Sequence, residues 1–169
     1  EGAGKLDARP GKSGGGGYGS GGRIAVHLTG AGEDFSNFAG KMDASMEGTS
    51  MGTPGTIYLQ TAADDGKGEL IIRGVKATDS HIYTTHREGG TPIVMPEDGD
   101  DTELKRVSLI DHVQARIDAG LHVRVGEFYS EGKTDYQWIQ LRGGTLEMPG
   151  TVLGHLSPAV QETVGFDAE

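Results

Sequence analysis

Residues 102–119 read TELKRVSLIDHVQARIDA and decide the fold class, because this is the one stretch whose pattern permits either a helix or strands. Its apolar residues fall mostly on alternate positions: Val107, Leu109, Val113, Ala115 and Ile117. A period of two is typical of half-buried strands, whereas a helix requires a period of about 3.6 residues. We therefore predict strands at 106–110 and 113–117, and with them an all-β chain.

Short strand patterns of the same kind occur along the rest of the chain. They predict further strands at 23–28, 56–60, 69–73, 81–85, 92–95, 121–125, 138–142 and 145–148. Turn-forming residues separate most of these runs, as in the segment DDGKG at 64–68. Many short strands joined by turns are typical of a β-sandwich, a β-barrel or a β-solenoid.

The composition limits how large a core the chain can build. Glycine accounts for 30 of the 169 residues, and hydrophobic residues for 34%. We divide the chain into a glycine-rich N-terminal part with the first strand, 1–55, and a β-rich stack, 56–169, within one continuous unit of thin buried layers. The segment GKSGGGGYGSGG at 11–22 is either a flexible linker or backbone packed closely against a neighbour, and the strand pattern directly after it favours packing.

Charge and cysteine content exclude several classes of function. The formal net charge is −10, so we expect no nucleic-acid binding, and no apolar run is long enough for membrane insertion. The chain has no cysteine, which excludes disulfides, zinc–thiolate sites and a cysteine nucleophile. It begins without Met or a signal-like apolar run, so we expect a processed product or a fragment of a larger protein.

Three motifs resemble parts of large bacterial surface proteins. The stretch GGGGYGSGGRIA at 14–25, followed by GTIYL at 55–59, resembles a glycine-rich unit of those proteins, and IQLRGGTLEM at 139–148 is similar to a rung of autotransporter-like β-helix repeats. The resemblance implies a parallel β-solenoid with a glycine-rich N-terminal segment, with a β-sandwich as the alternative. It also implies an extracellular or cell-surface module with a structural, adhesive or self-assembling role, and its partners would be neighbouring modules or identical copies.

Candidate catalytic residues lack the partners that catalysis requires. Ser50 lies in GTSMGTP at 48–54, which resembles the serine motif of subtilases, but His27 is the only histidine upstream of it. Asp64 and Asp65 are adjacent, as paired acids could be in a glycosidase, but turn chemistry already explains their sequence. We therefore predict no catalytic residue and favour a non-enzymatic role.

Two groups of residues are candidates for binding sites. The acidic run at 97–103 predicts a calcium site with Asp98, Asp100, Asp101 and Glu103 as oxygen ligands, and an exposed acidic loop is the competing interpretation. Tyr136 and Trp138 share strand parity after a polar loop and predict a sugar-binding pair. The alternative function is therefore a carbohydrate-active domain that binds or cleaves acidic polysaccharides.

Overall fold

The computed structural model describes residues 2–11, 20–45, 53–74, 91–93, 101–131, 137–148 and 151–154. Strands dominate these ranges, so the all-β prediction is confirmed. The strands are β1 (Lys5–Asp7), β2 (Arg23–Leu28), β3 (Lys41–Asp43), β4 (Thr56–Thr61), β5 (Glu69–Arg73), β6 (Thr91–Pro92), β7 (Asp101–Ile110), β8 (Val113–Asp118), β9 (His122–Glu131), β10 (Gln137–Arg142), β11 (Thr145–Glu147) and β12 (Thr151–Gly154). One short 3-10 helix, Ala62–Asp64, follows β4.

The stretch 102–119 forms two strands, as its alternation predicts. On β8 the residues Val113, Ala115 and Ile117 are buried, and the residues between them are only partly covered. The break between β7 and β8 falls at Asp111, whose φ of 61° lies in the left-handed region that Asp tolerates better than most residues. The predicted strand at 81–85 lies outside the described residues, as do residues 94–95 of the predicted strand at 92–95.

Two parallel sheets contain the C-terminal half of the described chain. In the larger sheet β5, β7, β9 and β11 lie side by side, and β12 also pairs with β9. In the smaller sheet β6, β8 and β10 lie side by side. The chain visits the sheets alternately, and all of these strand pairs are parallel. Each return to the larger sheet therefore adds a strand beside the previous one.

The apolar core of this half is built from one face of each sheet. In the larger sheet Val107 lies in register beside Phe128, and in the smaller sheet Ala115 lies beside Ile139. All four side chains are at most 1% exposed. They belong to one buried cluster, which also includes Leu70, Ile72, Ile93, Leu104, Leu109, Val113, Ile117, Val123, Val125 and Leu146. The strands therefore show the period of two that their sequences predict.

A buried glutamine joins two successive corners of the chain. Gln137 is 0% exposed, and its Nε2 donates to the backbone oxygens of Asp111 at 2.9 Å and Glu131 at 2.7 Å. Its Oε1 accepts a hydrogen bond from the Ser130 hydroxyl. Because the two backbone oxygens lie at the ends of β7 and β9, this one amide satisfies polar groups at both corners.

The N-terminal half alternates between two parallel strand pairs in the same way. β1 pairs with β3, and β2 pairs with β4. β4 then pairs antiparallel with β5 through the short 3-10 helix. Strand direction therefore reverses at this hairpin, although the order β2, β4, β5, β7, β9, β11 across the larger sheet follows the sequence.

The covered face of the larger sheet also changes at the β4–β5 hairpin. Register places Ala25, Tyr58 and Leu70 on one face, and Ile24 and Ile57 on the other. On β2, Ala25 is exposed while Ile24 is half-buried, whereas on β5 Leu70 is only 2% exposed. β4 is covered on both faces, since Ile57 and Tyr58 are each 5% exposed. The two halves of the sheet thus bury opposite faces.

Glycines allow close backbone contacts in the N-terminal half. The Gly21 N–H donates to the Thr53 oxygen at 2.9 Å, and the Gly55 N–H donates to the Ala44 oxygen at 2.9 Å. A Cβ atom on Gly21 would lie only 2.0 Å from the Ala44 oxygen. The described end of the glycine tract is therefore packed backbone, and residues 12–19 of the tract lie outside the described residues.

The turn after β4 is held by Asp64. Its Oδ2 accepts hydrogen bonds from the Thr61 N–H at 2.8 Å and the Thr61 hydroxyl at 2.9 Å, and its Oδ1 pairs with Lys105 Nζ at 2.5 Å. These contacts, with Lys105 the largest cause, hold the pKa of the Asp64 carboxyl below its usual value. The carboxylate therefore ties the β4–β5 turn to β7.

We expect Asp64→Asn to lower the free energy of unfolding by about 1 kcal/mol at pH 7, since it removes a charged capping group. A lowered folded-state pKa contributes stability that is present above the unfolded value, about 3.9, and is lost as pH falls through the folded value. Wild type and variant should therefore converge in acid. Urea denaturation from pH 7 down to pH 2.5 measures this, with Asp65→Asn as the control. A difference that does not change with pH would contradict the role of the charge.

Candidate functional site

One candidate surface is the charged face of the larger sheet, which comprises Lys67, Asp101, Glu103, His122, Arg124 and Glu147. Register aligns Glu103, Arg124 and Glu147 across β7, β9 and β11. Arg124 contacts both acids, with Nη1 at 3.3 Å from Glu103 Oε1 and Nε at 2.9 Å from Glu147 Oε2. Lys67 Nζ lies 2.5 Å from Glu103 Oε2. Opposite charges thus alternate across neighbouring strands.

A histidine lies between two carboxylates at the edge of the charged face. His122 Nδ1 is 3.2 Å from Asp101 Oδ1, and His122 Nε2 is 3.4 Å from Glu147 Oε2. The two carboxylates contact opposite nitrogens of the ring, so the three groups do not converge on one point. This arrangement links three strands through side chains and is unsuited to a shared metal ion.

The ion pairs of the charged face favour the charged forms of its side chains. Lys67 is the main cause that holds the pKa of the Glu103 carboxyl below its usual value, and the hydrogen bond to Glu147 raises the pKa of Arg124. All of these side chains are more than a third exposed, so solvent screens each pair strongly. The face is therefore a set of solvent-exposed ion pairs whose opposite charges largely balance.

The predicted calcium ligands are only partly within the described chain. Asp98 and Asp100 lie outside the described residues, whereas Asp101 and Glu103 begin strand β7 instead of ending a loop. Both described acids contact cationic or histidine side chains. Among the residues that the structure describes, no three His, Asp or Glu side chains are placed to hold a metal. Calcium binding at this run stays a prediction.

The second candidate surface is the arginine–glutamine face of the smaller sheet, which comprises Gln114, Arg116, Asp118, Gln140 and Arg142. These residues alternate with the buried residues of β8 and β10 and are partly exposed. Gln140 Oε1 accepts from Arg142 Nε at 2.9 Å and from Gln114 Nε2 at 3.4 Å. Arg116 Nε lies 3.0 Å from Asp118 Oδ2. The face therefore offers amide and guanidinium donors beside one carboxylate.

The predicted sugar-binding pair adjoins this face in part. Trp138 occupies the β10 position in register with Gln114 and has the same strand parity as Gln140 and Arg142. Tyr136 lies outside the described residues. The arginines and glutamines were not predicted as a site, although the alternation in QARID and WIQLR places them at outward positions. That the two runs are neighbours required the tertiary pairing.

Other candidate residues are placed as follows. Ser50 lies outside the described residues. His27 is exposed on β2, and its ring centroid lies 5.4 Å from that of Tyr58. Tyr58 is buried, donates its hydroxyl to the Gly66 oxygen at 3.0 Å and accepts from the Gly68 N–H at 2.9 Å. Asp65 has a φ of 50°, as expected for a turn.

No protein-family model, curated protein or solved structure matches this chain. In the part of the chain that the structure describes, no helix is long and apolar enough to cross a membrane.

Proposed function

We propose that this chain is a non-catalytic, extracellular structural module, built as a β-solenoid, that stacks on neighbouring modules or identical copies. The observation that carries this proposal is the alternation of the chain between two sheets, in which each of the strands β6 to β11 that has a predecessor in its sheet lies parallel beside it. In a solenoid, every coil buries its apolar face against the coils next to it. A module of this kind serves as an elongated scaffold.

Strand direction favours the solenoid over the β-sandwich. Sandwich sheets are mainly antiparallel. Among the described strands, β4 with β5 is the only antiparallel strand pair, and all other paired strands are parallel. The buried stack of Leu70, Val107 and Phe128 across β5, β7 and β9 is the kind of continuous core that a solenoid needs.

The ends of the sheets provide the proposed stacking surfaces. Among the described strands, β2 ends the larger sheet on one side, and β11 and β12 end it on the other. β10 ends the smaller sheet. It lies beside β8 as β11 lies beside β9, so β10 and β11 lie at the same end of the two sheets. Unpaired strand edges attract further strands, so such edges favour assembly where nothing covers them.

The reversal at the β4–β5 hairpin defines how two copies would stack. A copy displaced along the stack without rotation would present β2 antiparallel to β11, with the covered faces on opposite sides. A copy rotated by a half-turn about the stacking axis would present β2 parallel to β11, with Ile24 and Leu146 on the same side. Only the rotated copy continues both the parallel pairing and the apolar layer. We therefore propose a head-to-tail stack with a half-turn between copies, which can propagate as a filament.

We expect wild-type protein to form elongated particles as its concentration rises, and to do so more readily with added salt, because salt screens the repulsion between copies of charge −10. Ala25→Lys places a charge on the exposed side of edge strand β2 and should raise the concentration required for assembly about tenfold or more. Multi-angle light scattering and electron microscopy measure both effects.

Ala63→Lys is the matched control, since it adds the same charge at an exposed turn position. It should assemble like wild type. Wild-type protein that stays monomeric at every concentration and salt level would refute the stacking proposal. Equal assembly of the Ala25→Lys and Ala63→Lys variants would refute the role of β2.

A further inference from the structure

The arginine–glutamine face is the outward surface of β8 and of the end strand β10, and it suits a different partner from the backbone edges of the sheets. We infer that this face binds acidic polysaccharide by pairing its two arginines with uronate carboxylates. This inference does not depend on the stacking proposal, because it uses the outward surface of β8 and β10 and leaves the terminal edges free.

The two arginines are spaced for neighbouring anionic groups. Gln140 is the register partner of Arg116, and Arg142 is the partner of Asp118, so the arginines are diagonal neighbours. Strand spacing and residue rise place their Cα atoms roughly 8 Å apart. A guanidinium carries five N–H donors and matches a carboxylate with two parallel hydrogen bonds. One arginine on each strand can therefore engage a separate carboxylate of one polymer.

Polar groups between the arginines match sugar hydroxyls. The amide nitrogens of Gln114 and Gln140 provide donors on adjacent strands, and the two amides contact each other at 3.4 Å. Asp118 is 41% exposed and accepts hydrogen bonds. A hydroxyl donates and accepts at once, so a mixed set of this kind recognises it better than charges alone.

The shape of the surface favours a linear polymer. β8 and β10 are extended over six residues each, and they present polar side chains at alternate positions. Trp138 occupies the next position of the same parity along β10, beside Gln114. Polar side chains at alternate positions on two extended strands match successive sugar units, because amides bind hydroxyls and guanidinium groups bind carboxylates.

The overall charge does not preclude an acidic ligand. The net charge of −10 repels polyanions at long range, but at 0.15 M salt the screening length is only about 8 Å. The charged residues of the face itself are Arg116, Arg142 and Asp118, with Asp118 3.0 Å from Arg116. Short-range pairing with arginine can therefore exceed the screened repulsion.

Binding can be measured directly, because Trp138 is the only tryptophan of the chain. We would titrate the Ala25→Lys background with oligogalacturonate and follow both tryptophan emission and heat of binding, so that self-stacking does not interfere. Saturable binding is expected. Arg116→Gln with Arg142→Gln should weaken it at least tenfold. Arg23→Gln with Arg73→Gln makes the same charge change at exposed positions elsewhere and should leave it unchanged.

Two further comparisons test the chemistry. Arg116→Lys with Arg142→Lys keeps the charge but loses the paired hydrogen bonds, so binding should fall by an intermediate factor. Neutral dextran should not bind, and dextran sulfate should bind less tightly than oligogalacturonate. Circular dichroism verifies that each variant is folded. Absence of oligogalacturonate binding, equal binding of neutral dextran, or equal losses in the two glutamine double variants would overturn the inference, whatever the outcome of the stacking experiment.

Discussion

Gly55→Ala is expected to destabilise the fold by roughly 3 kcal/mol or more, because no room exists for a methyl group at this position. An ideal Cβ on Gly55 would lie 1.9 Å from the Gly22 oxygen, 2.7 Å from the Gly21 carbonyl carbon and 2.8 Å from the Ala44 oxygen. All three are backbone atoms, which cannot rotate away as a side chain can. The Gly55 N–H also donates to Ala44, so relief by backbone movement would disturb that hydrogen bond.

Chemical denaturation followed by far-ultraviolet circular dichroism measures this loss. Gly4→Ala is the control, since a Cβ atom there would meet nothing within 4 Å. That variant should retain the wild-type midpoint within experimental error. If Gly55→Ala and Gly4→Ala unfold at the same denaturant concentration, the close approach of the three backbone segments is wrong.

Phe128→Ala should lower the free energy of unfolding by about 3–5 kcal/mol, the usual cost of removing a buried aromatic ring. Phe128 is 1% exposed and lies in register beside Val107 in the apolar stack of the larger sheet. Its removal leaves a cavity at the centre of that stack. Parallel strands that pair on both sides have little freedom to close such a cavity, so the cost should fall in the upper part of this range.

The matched control is Tyr129→Ala, which removes the next ring along the same strand. Tyr129 faces the other side of the sheet, and its hydroxyl donates to Glu131 Oε2 at 3.0 Å at the surface. We expect this change to cost less than half as much as Phe128→Ala. Urea titrations at pH 7 compare the two. Equal destabilisation by both variants would contradict the assignment of the buried face.

The strands themselves were predictable from sequence, since their signal is local. β2 and β5 have the predicted bounds of 23–28 and 69–73, and residues 102–119 form strands as alternation predicts. The short strands β1 and β3 were not predicted, and strand ends also differ: β7 begins at Asp101, five residues before the predicted start at 106, and β9 continues to Glu131 beyond the predicted 125. The extensions, 101–105 and 126–131, are mostly polar and show no clear alternation of apolar residues. Pairing with neighbouring strands keeps them extended.

The candidate faces were much harder to predict. The acidic run at 97–103 predicts Glu103 as a calcium ligand, because a run of carboxylates is a pattern within one short segment. The structure pairs Glu103 with Lys67 and Arg124, which are distant in sequence. Likewise, Gln114 and Gln140 lie 26 positions apart and contact each other only because β8 and β10 are neighbours. No local pattern contains that information.

The sequence by itself determined the all-β class, the approximate strands, the absence of cysteine chemistry and the overall negative charge, since each depends on composition or on a period of two along the chain. The tertiary structure alone decided the parallel pairing, the reversal of direction and covered face at the β4–β5 hairpin, and the grouping of arginines and glutamines on one face. Those features depend on which strands become neighbours, and strand neighbours are selected by packing of the whole core, not by the residues of any one strand.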